Sequence, residues 1–225
     1  MAYGKIKNAL VTFIELIAVF IGIYLAFYVD KKEVWKQETE RENEYRAEIT
    51  KECTKNAEEL EYLIKTYSEK SIALKEFIEV LDKNKYRDFI ELRSLLYKAL
   101  GNPELFVPRT YMWKSLIKSN SLKFMRTLNL LEHTPARLYD RYNDLDLYNK
   151  QISDYYDEQI NPYILKNINF ETLEFFNSKS DFNLYFRNLI YGYYNFTDQY
   201  LEILRETSTF CKKTKNLLAN EIKND

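Results

Sequence analysis

The chain has 225 residues, a formal net charge of −1 and 30% charged side chains, a balance that excludes a strongly basic nucleic-acid-binding protein. Its 4 glycines and 4 prolines fall far below the usual shares of ~7% and ~5%. Sheets need many tight turns built from these residues, whereas long helices need few. The composition therefore predicts an all-α fold.

Residues 9–29 form an apolar run interrupted by a single charge, Glu15. A helix of this length measures about 31 Å, which matches the hydrocarbon thickness of a bilayer. Inserting so many aliphatic and aromatic side chains outweighs the cost of one carboxylate, roughly 2.5–3.5 kcal/mol at mid-membrane. The run is too long for a cleaved signal peptide and ends in bulky side chains. We predict a retained single-pass transmembrane helix after a short tail, residues 1–8.

One face of this predicted anchor carries small residues four apart, Ala18, Gly22 and Ala26, with Glu15 on the same side. Small residues let two helices approach closely in lipid, and a carboxylate in the membrane favours protein or water over lipid. The pattern indicates a contact face for a second copy of the chain or another membrane protein. The alternative is a lipid-exposed helix whose Glu15 is protonated or extends to the interface.

The same segment carries a resemblance, because Glu15 is followed seven residues later by the sequence Gly-Ile-Tyr-Leu-Ala, residues 22–26. This resembles the N-terminal signature of an uncharacterised bacterial family of small single-pass membrane proteins. The family usually continues with an Asn-rich, Trp-containing stretch, which residues 28–30 and Trp35 replace here. Residues 113–122 resemble the family's middle region. The resemblance implies a membrane-anchored helical protein with no established activity.

Residues 30–44 are mostly charged helix formers and predict a helical stalk that continues the transmembrane helix. Residues 45–225 then predict an antiparallel helical bundle. Its first helix carries an apolar stripe in steps of three and four and is expected to end between residues 82 and 85. The stripe comprises Tyr45, Ile49, Cys53, Ala57, Leu60, Ile64, Tyr67, Leu74, Ile78 and Leu81.

Turn and capping residues divide the rest of the bundle. Gly101, followed by Asn and Pro, predicts the end of a helix over residues 88–100, and Thr110 predicts the start of the next. Thr134 and Pro135 have the residue types of an N-cap and first helical position, and Pro162 predicts a kink or an end. The predicted buried faces of the two long helices are Leu138, Tyr142, Leu145, Tyr148 and Ile152, then Leu184, Leu189, Tyr193, Phe196, Leu201, Leu204, Cys211, Leu218 and Ile222.

Residue types suited to catalysis are sparse. His133 is the only histidine, and the sequence has no glycine-rich phosphate loop and no CxxC, HExxH or GxSxG motif, so we expect neither an enzyme nor a cofactor or metal site. Cys53 and Cys211 each lie on an apolar stripe. If the last helix packs antiparallel to the first, the two form either a disulfide or a pair of buried free thiols.

Three functions fit these features. The first is a non-enzymatic membrane-anchored scaffold that associates laterally through its transmembrane helix. The second is an accessory subunit of a transport or ion-flux assembly that uses Glu15, and the third is a sensor whose bundle binds a ligand. The short N-terminal tail carries Lys5 and Lys7 and no acid. We expect it inside the cell and the bundle outside the cytoplasm, although a strict Lys and Arg count favours the reverse.

Overall fold

A computed structural model describes residues 2–83, 89–118, 134–169 and 184–221, excluding the side chains of residues 2–12, 14, 82–83, 89–93 and 221. The all-α prediction is confirmed for the described residues. A π-helical turn, Tyr156–Ile160, lies between two of the α-helices. The helices are α1 (Ala2–Lys83), α2 (Phe89–Leu100), α3 (Tyr111–Lys118), α4 (Pro135–Tyr155), α5 (Asn161–Asn167) and α6 (Leu184–Glu221).

The chain divides into two compact units, Met1–Ala47 and Glu48–Asp225. In the first unit, every side chain from residue 15 to residue 41 is exposed. Among the described side chains, no helical stretch has both the length and the apolarity of a membrane span. The predicted transmembrane segment, residues 9–29, includes residues 9–12 and 14, whose side chains lie outside the described part.

In the second unit, α1 packs against α6 in the opposite direction. The ring of Tyr67 contacts that of Tyr200, and further along α1 the ring of Phe77 contacts that of Phe186. Most of the predicted α1 stripe is buried here, whereas Ile64 is half-buried. The buried members are Ile49, Cys53, Ala57, Leu60, Tyr67, Leu74, Ile78 and Leu81.

Helix α4 runs parallel to α1 and antiparallel to α6. It starts as predicted, because the Thr134 hydroxyl accepts a hydrogen bond from the Arg137 backbone N–H at 3.2 Å and Pro135 occupies the first turn. The π-helical turn that follows α4 precedes Pro162. Proline lacks an N–H and collides with the carbonyl one turn before it, so a widened turn lets the helical path continue.

The buried face of α6 differs from the prediction at its first residue. Leu184 is 71% exposed, and Phe186 is buried instead. Phe186 precedes the buried Leu189 by three residues and therefore shares its face, whereas Leu184 precedes it by five and lies about 140° away. Ile222, also assigned to this face, lies outside the described residues.

Candidate functional site

The residues of the predicted membrane contact face all lie on the exposed part of α1. Glu15, Ala18, Gly22 and Ala26 are exposed, and a Cβ added at Gly22 would meet nothing within 4 Å. Four-residue spacing places the three small residues on one side of the helix. A larger side chain at Gly22 would therefore strain nothing within this chain, and its effect would be confined to whatever packs against that side.

Cys53 and Cys211 are brought together by the antiparallel packing of α1 and α6. Both are buried free thiols, and the Cys211 sulfur donates a hydrogen bond to the Cys53 carbonyl at 3.1 Å. The Tyr142 hydroxyl lies 3.4 Å from the same sulfur. Hydrogen bonding between the two thiols, together with burial, raises the pKa of Cys53. The same thiol–thiol hydrogen bonding lowers the pKa of Cys211, against the effect of burial.

A non-helical strip, residues 101–110, lies between α2 and α3 in the second unit; Phe106 is its buried residue, and half of its residues are exposed. It passes along α1, α4 and α6. Because residues 102–109 lie outside the helices, their buried backbone groups need partners elsewhere. Side chains from the three long helices supply those partners at both ends and in the middle.

Lys70 binds the beginning of the strip. Its ammonium group donates hydrogen bonds to the Gly101 carbonyl at 2.7 Å and to the Tyr193 hydroxyl at 3.1 Å. Gly101 directly follows α2, whose C-terminal end carries partial negative charge that favours a cation. Burial nevertheless lowers the pKa of Lys70 to about 8, and the nearby Glu104 only partly opposes that shift.

The middle of the strip is held by a closed ring of hydrogen bonds. The Phe106 N–H donates to the Tyr200 hydroxyl at 3.1 Å, and that hydroxyl donates to the Asn149 side-chain oxygen at 2.6 Å. The Asn149 amide then donates to the Phe106 carbonyl at 2.8 Å. One asparagine and one tyrosine thus satisfy both backbone groups of Phe106, whose side chain is 1% exposed.

Asn56 binds the end of the strip through both of its side-chain polar atoms. Its oxygen accepts from the Arg109 N–H at 2.9 Å, and its amide donates to the Arg109 carbonyl at 3.0 Å. The same amide also donates to the Tyr142 hydroxyl at 3.1 Å. One turn earlier on α1, Glu52 accepts from the Met112 N–H at 2.7 Å and thereby holds the start of α3.

This arrangement uses its polar groups for internal hydrogen bonding. The donors and acceptors of Asn56, Lys70 and Asn149 bind backbone atoms of the strip, so these polar groups are paired within the unit. Within the described ranges, no group of three or more His, Cys, Asp or Glu side chains is placed to hold a metal ion. His133 lies outside those ranges.

Sequence reasoning did not single out these three residues, although a signal was present. Asn56 lies between Cys53 and Leu60 in the buried register of α1, and Lys70 lies between Tyr67 and Leu74 in the same register. Asn149 occupies the equivalent position on α4, three residues before Ile152. A polar residue at an apolar stripe position requires a buried partner. The sequence therefore shows that these three residues require buried hydrogen-bond partners, but it does not show which residues those partners are.

Comparisons with protein-family models, with curated proteins and with solved structures give no match to this chain. The family membership suggested by the Glu15 and Gly22 signature stays a prediction.

Proposed function

We propose that the protein is a single-pass, membrane-anchored helical interaction protein. Residues 9–29 cross the bilayer and associate laterally with a second copy or another membrane protein. The unit Glu48–Asp225 acts as a non-enzymatic scaffold outside the cytoplasm. The single observation that carries the proposal is the uncovered apolar surface of α1 between Phe13 and Val29.

That surface extends around the whole helix. Phe13, Phe20, Tyr24 and Phe27 are between 63% and 70% exposed, and Ile17, the least exposed of the large apolar side chains described in this stretch, is still 41% exposed. A helix that is apolar on every side is stable inside a protein core or in lipid. Burial of apolar surface yields about 25 cal/mol per Å², so a bilayer is the favoured environment for these side chains. Trp35, 65% exposed, suits the interface beyond it.

The scaffold role is supported by the hydrogen bonds that hold the non-helical strip, residues 101–110. Three helices are tied to one non-helical segment by hydrogen bonds that involve Asn56 and Lys70 of α1, Asn149 of α4 and Tyr200 of α6. Buried, fully satisfied networks fix a single arrangement of the elements around them. A domain whose helices are fixed in this way presents surfaces of constant shape to a binding partner. Its buried polar groups are engaged in internal hydrogen bonds, which favours a binding role over a catalytic one.

Membrane extraction tests the anchor. Full-length protein is expected to remain in the membrane pellet through carbonate and high-salt washes, because apolar insertion does not depend on surface charge. The double variant Ile17→Arg/Ile21→Arg is expected in the supernatant. The matched control, Glu38→Arg/Glu42→Arg, adds the same number of arginines outside the span and is expected to stay in the pellet. Release of wild-type protein by carbonate would refute the anchor.

Crosslinking in membranes tests lateral association. Gly22→Leu is expected to reduce crosslinked product more than Leu25→Ala, since Gly22 is at the centre of the small-residue face and Leu25 lies about 60° away from it. Glu15→Gln separates two functions: a scaffold retains association, whereas an ion-flux subunit loses proton-linked activity. Equal crosslinking of the Gly22 variant and wild type would eliminate the proposed contact face.

A further inference from the structure

A cleft of about 550 Å³ lies between the N-terminal part of α4 and the C-terminal half of α6. Arg137 and Arg141 enter it from α4, one turn apart, and Arg205, Thr209 and Lys213 line it from α6 at four-residue intervals. Each set shares one face of its helix. The antiparallel packing of the two helices brings four cationic side chains around one concavity.

The charge of the cleft is strongly one-sided. Glu206 is the one carboxylate among the described lining residues, so the lining carries three net positive charges. The first turn of α4 contains no acidic residue, and the positive end of that helix dipole adds to the same field. Like charges gathered in this way repel one another, and a bound anion removes that repulsion.

Two of the guanidinium groups are already oriented. Arg141 donates to Glu206 at 3.2 Å and lies over the Phe210 ring, 5.0 Å from its centre. Arg205 donates to the Ser68 hydroxyl at 3.3 Å. Each guanidinium has five N–H donors, so one such contact leaves a fork for a second acceptor. Pre-oriented forks lower the entropy lost when an anion binds.

We propose that this cleft binds a phosphorylated small molecule that carries at least two negative charges. Planar guanidinium forks match the paired oxygens of phosphate, and the volume lies in the range of small-molecule sites. Three net positive charges favour a phosphate monoester or an anhydride over a singly charged phosphodiester. This site lies in the unit Glu48–Asp225 and does not depend on the membrane anchor.

Calorimetric titration of full-length protein in non-ionic detergent tests the proposal, with inorganic pyrophosphate and glycerol 3-phosphate as probes. Glycerophosphoglycerol, a phosphodiester with the headgroup chemistry of an anionic lipid, is the third probe. We expect pyrophosphate to bind at least about tenfold more tightly than the diester, and its affinity to fall as NaCl is raised. Equal binding of the diester would overturn the assigned ligand charge, and no heat from pyrophosphate would overturn the site.

Matched variants locate the binding. Arg205→Gln/Lys213→Gln is expected to weaken pyrophosphate binding at least about tenfold, because charge-assisted hydrogen bonds are lost. Lys150→Gln/Lys166→Gln removes the same charge from exposed positions outside the cleft lining and is expected to bind as wild type. Arg205→Lys retains the charge and part of the affinity. Thermal unfolding verifies that each variant is folded, and equal weakening in the control pair would refute the assignment to this cleft.

Discussion

Residues 15–41 and residues 48–81 belong to the same α-helix, yet they meet their surroundings in different ways. Every side chain in the first stretch is exposed, including Phe20 at 64%. In the second, one stripe is buried, with Leu60 and Leu74 at 0% exposure, and mostly polar side chains occupy the other faces, with Tyr62 and Ile72 as exposed exceptions. Hydrophobic content alone does not decide whether a helix joins a core. The period of the apolar residues decides it, because a packed helix buries one face.

The largest expected effect is a loss of stability at alkaline pH, which acts on buried tyrosines of the second stretch and of the helices α4 and α6 packed against it. Burial raises the pKa of five phenols most strongly, so the stability they contribute is complete below the unfolded-chain pKa of about 10 and is lost progressively as the pH rises above it. Above pH 10 each phenol lowers the free energy of unfolding by about 1.4 kcal/mol per pH unit, and the five together lower it by about 5–7 kcal/mol near pH 11. That loss approaches the whole stability of a typical domain. The phenols are Tyr67, Tyr139, Tyr142, Tyr193 and Tyr200.

The pKa of Lys70 shifts in the opposite direction, so its effect on stability has the opposite pH dependence. Its pKa falls from 10.5 to about 8 in the folded state, so the unfolded chain binds more protons between these values and stability rises there, by about 3 kcal/mol at most. Urea unfolding from pH 7 to 11 is expected to show a maximum between pH 9 and 10, then a steep fall. Lys70→Met is expected to remove the rise and keep the fall. Unchanged stability at pH 11 would contradict the burial of the phenols.

The next largest effect is expected when one carboxylate is introduced into each stretch of α1, because the two stretches differ in burial. Leu60→Asp buries an unpaired carboxylate in the core, and we expect it to cost about 4–5 kcal/mol or to unfold the second unit. Phe20→Asp places the same charge at an exposed position and is expected to leave the unfolding of that unit within about 0.5 kcal/mol of wild type. Near-ultraviolet circular dichroism during thermal unfolding measures both. Comparable losses in the two variants would abolish the distinction between the stretches.

Hydrogen-bonding side chains on α1 provide a smaller contrast. Asn56→Leu leaves the Arg109 backbone groups without their side-chain partner, at an expected cost of about 2–4 kcal/mol. Thr39→Val removes an exposed hydroxyl that donates only to the Trp35 carbonyl one turn earlier and is expected to change stability by less than about 0.5 kcal/mol. Chemical denaturation quantifies the pair. An Asn56 variant as stable as wild type would show that the strip needs no anchoring there.

The smallest expected difference in stability is between alanine substitutions at two glycines, Gly192 and Gly22. A Cβ at Gly192 would meet the Tyr155 ring, whose hydroxyl donates to the Leu189 carbonyl at 3.0 Å, so Gly192→Ala is expected to cost about 1–2 kcal/mol. Gly22→Ala meets no atom within 4 Å and gains helix propensity worth about 0.8–1 kcal/mol. The sign of the change in unfolding temperature is the observable for Gly192→Ala. The helix content of a peptide spanning residues 9–29, in detergent, is the observable for Gly22→Ala.

Much of the helical framework was predictable because its signals are local. The stripe from Ile49 to Leu81 and the Thr134 cap follow from side-chain spacing and backbone chemistry within a few residues. Leu184 was assigned wrongly because the start of α6 offered two registers, and the position of Phe186 against Phe77 and Tyr163 selects one of them. Register at a helix end depends on a partner that the local sequence does not contain.

The sequence by itself determined the helical class through its composition, the helix limits at Leu100 and Thr134 through turn and capping residues, and the buried stripe of α1 through the period of its apolar residues. Only the tertiary structure decided that Cys53 contacts Cys211, that Asn56 forms hydrogen bonds with the backbone of Arg109, and that α4 and α6 together line a basic cleft. These pairings join residues between 53 and 158 positions apart. Nothing in a local pattern encodes which surfaces meet, because that choice minimises the energy of the whole packed unit rather than of any one helix.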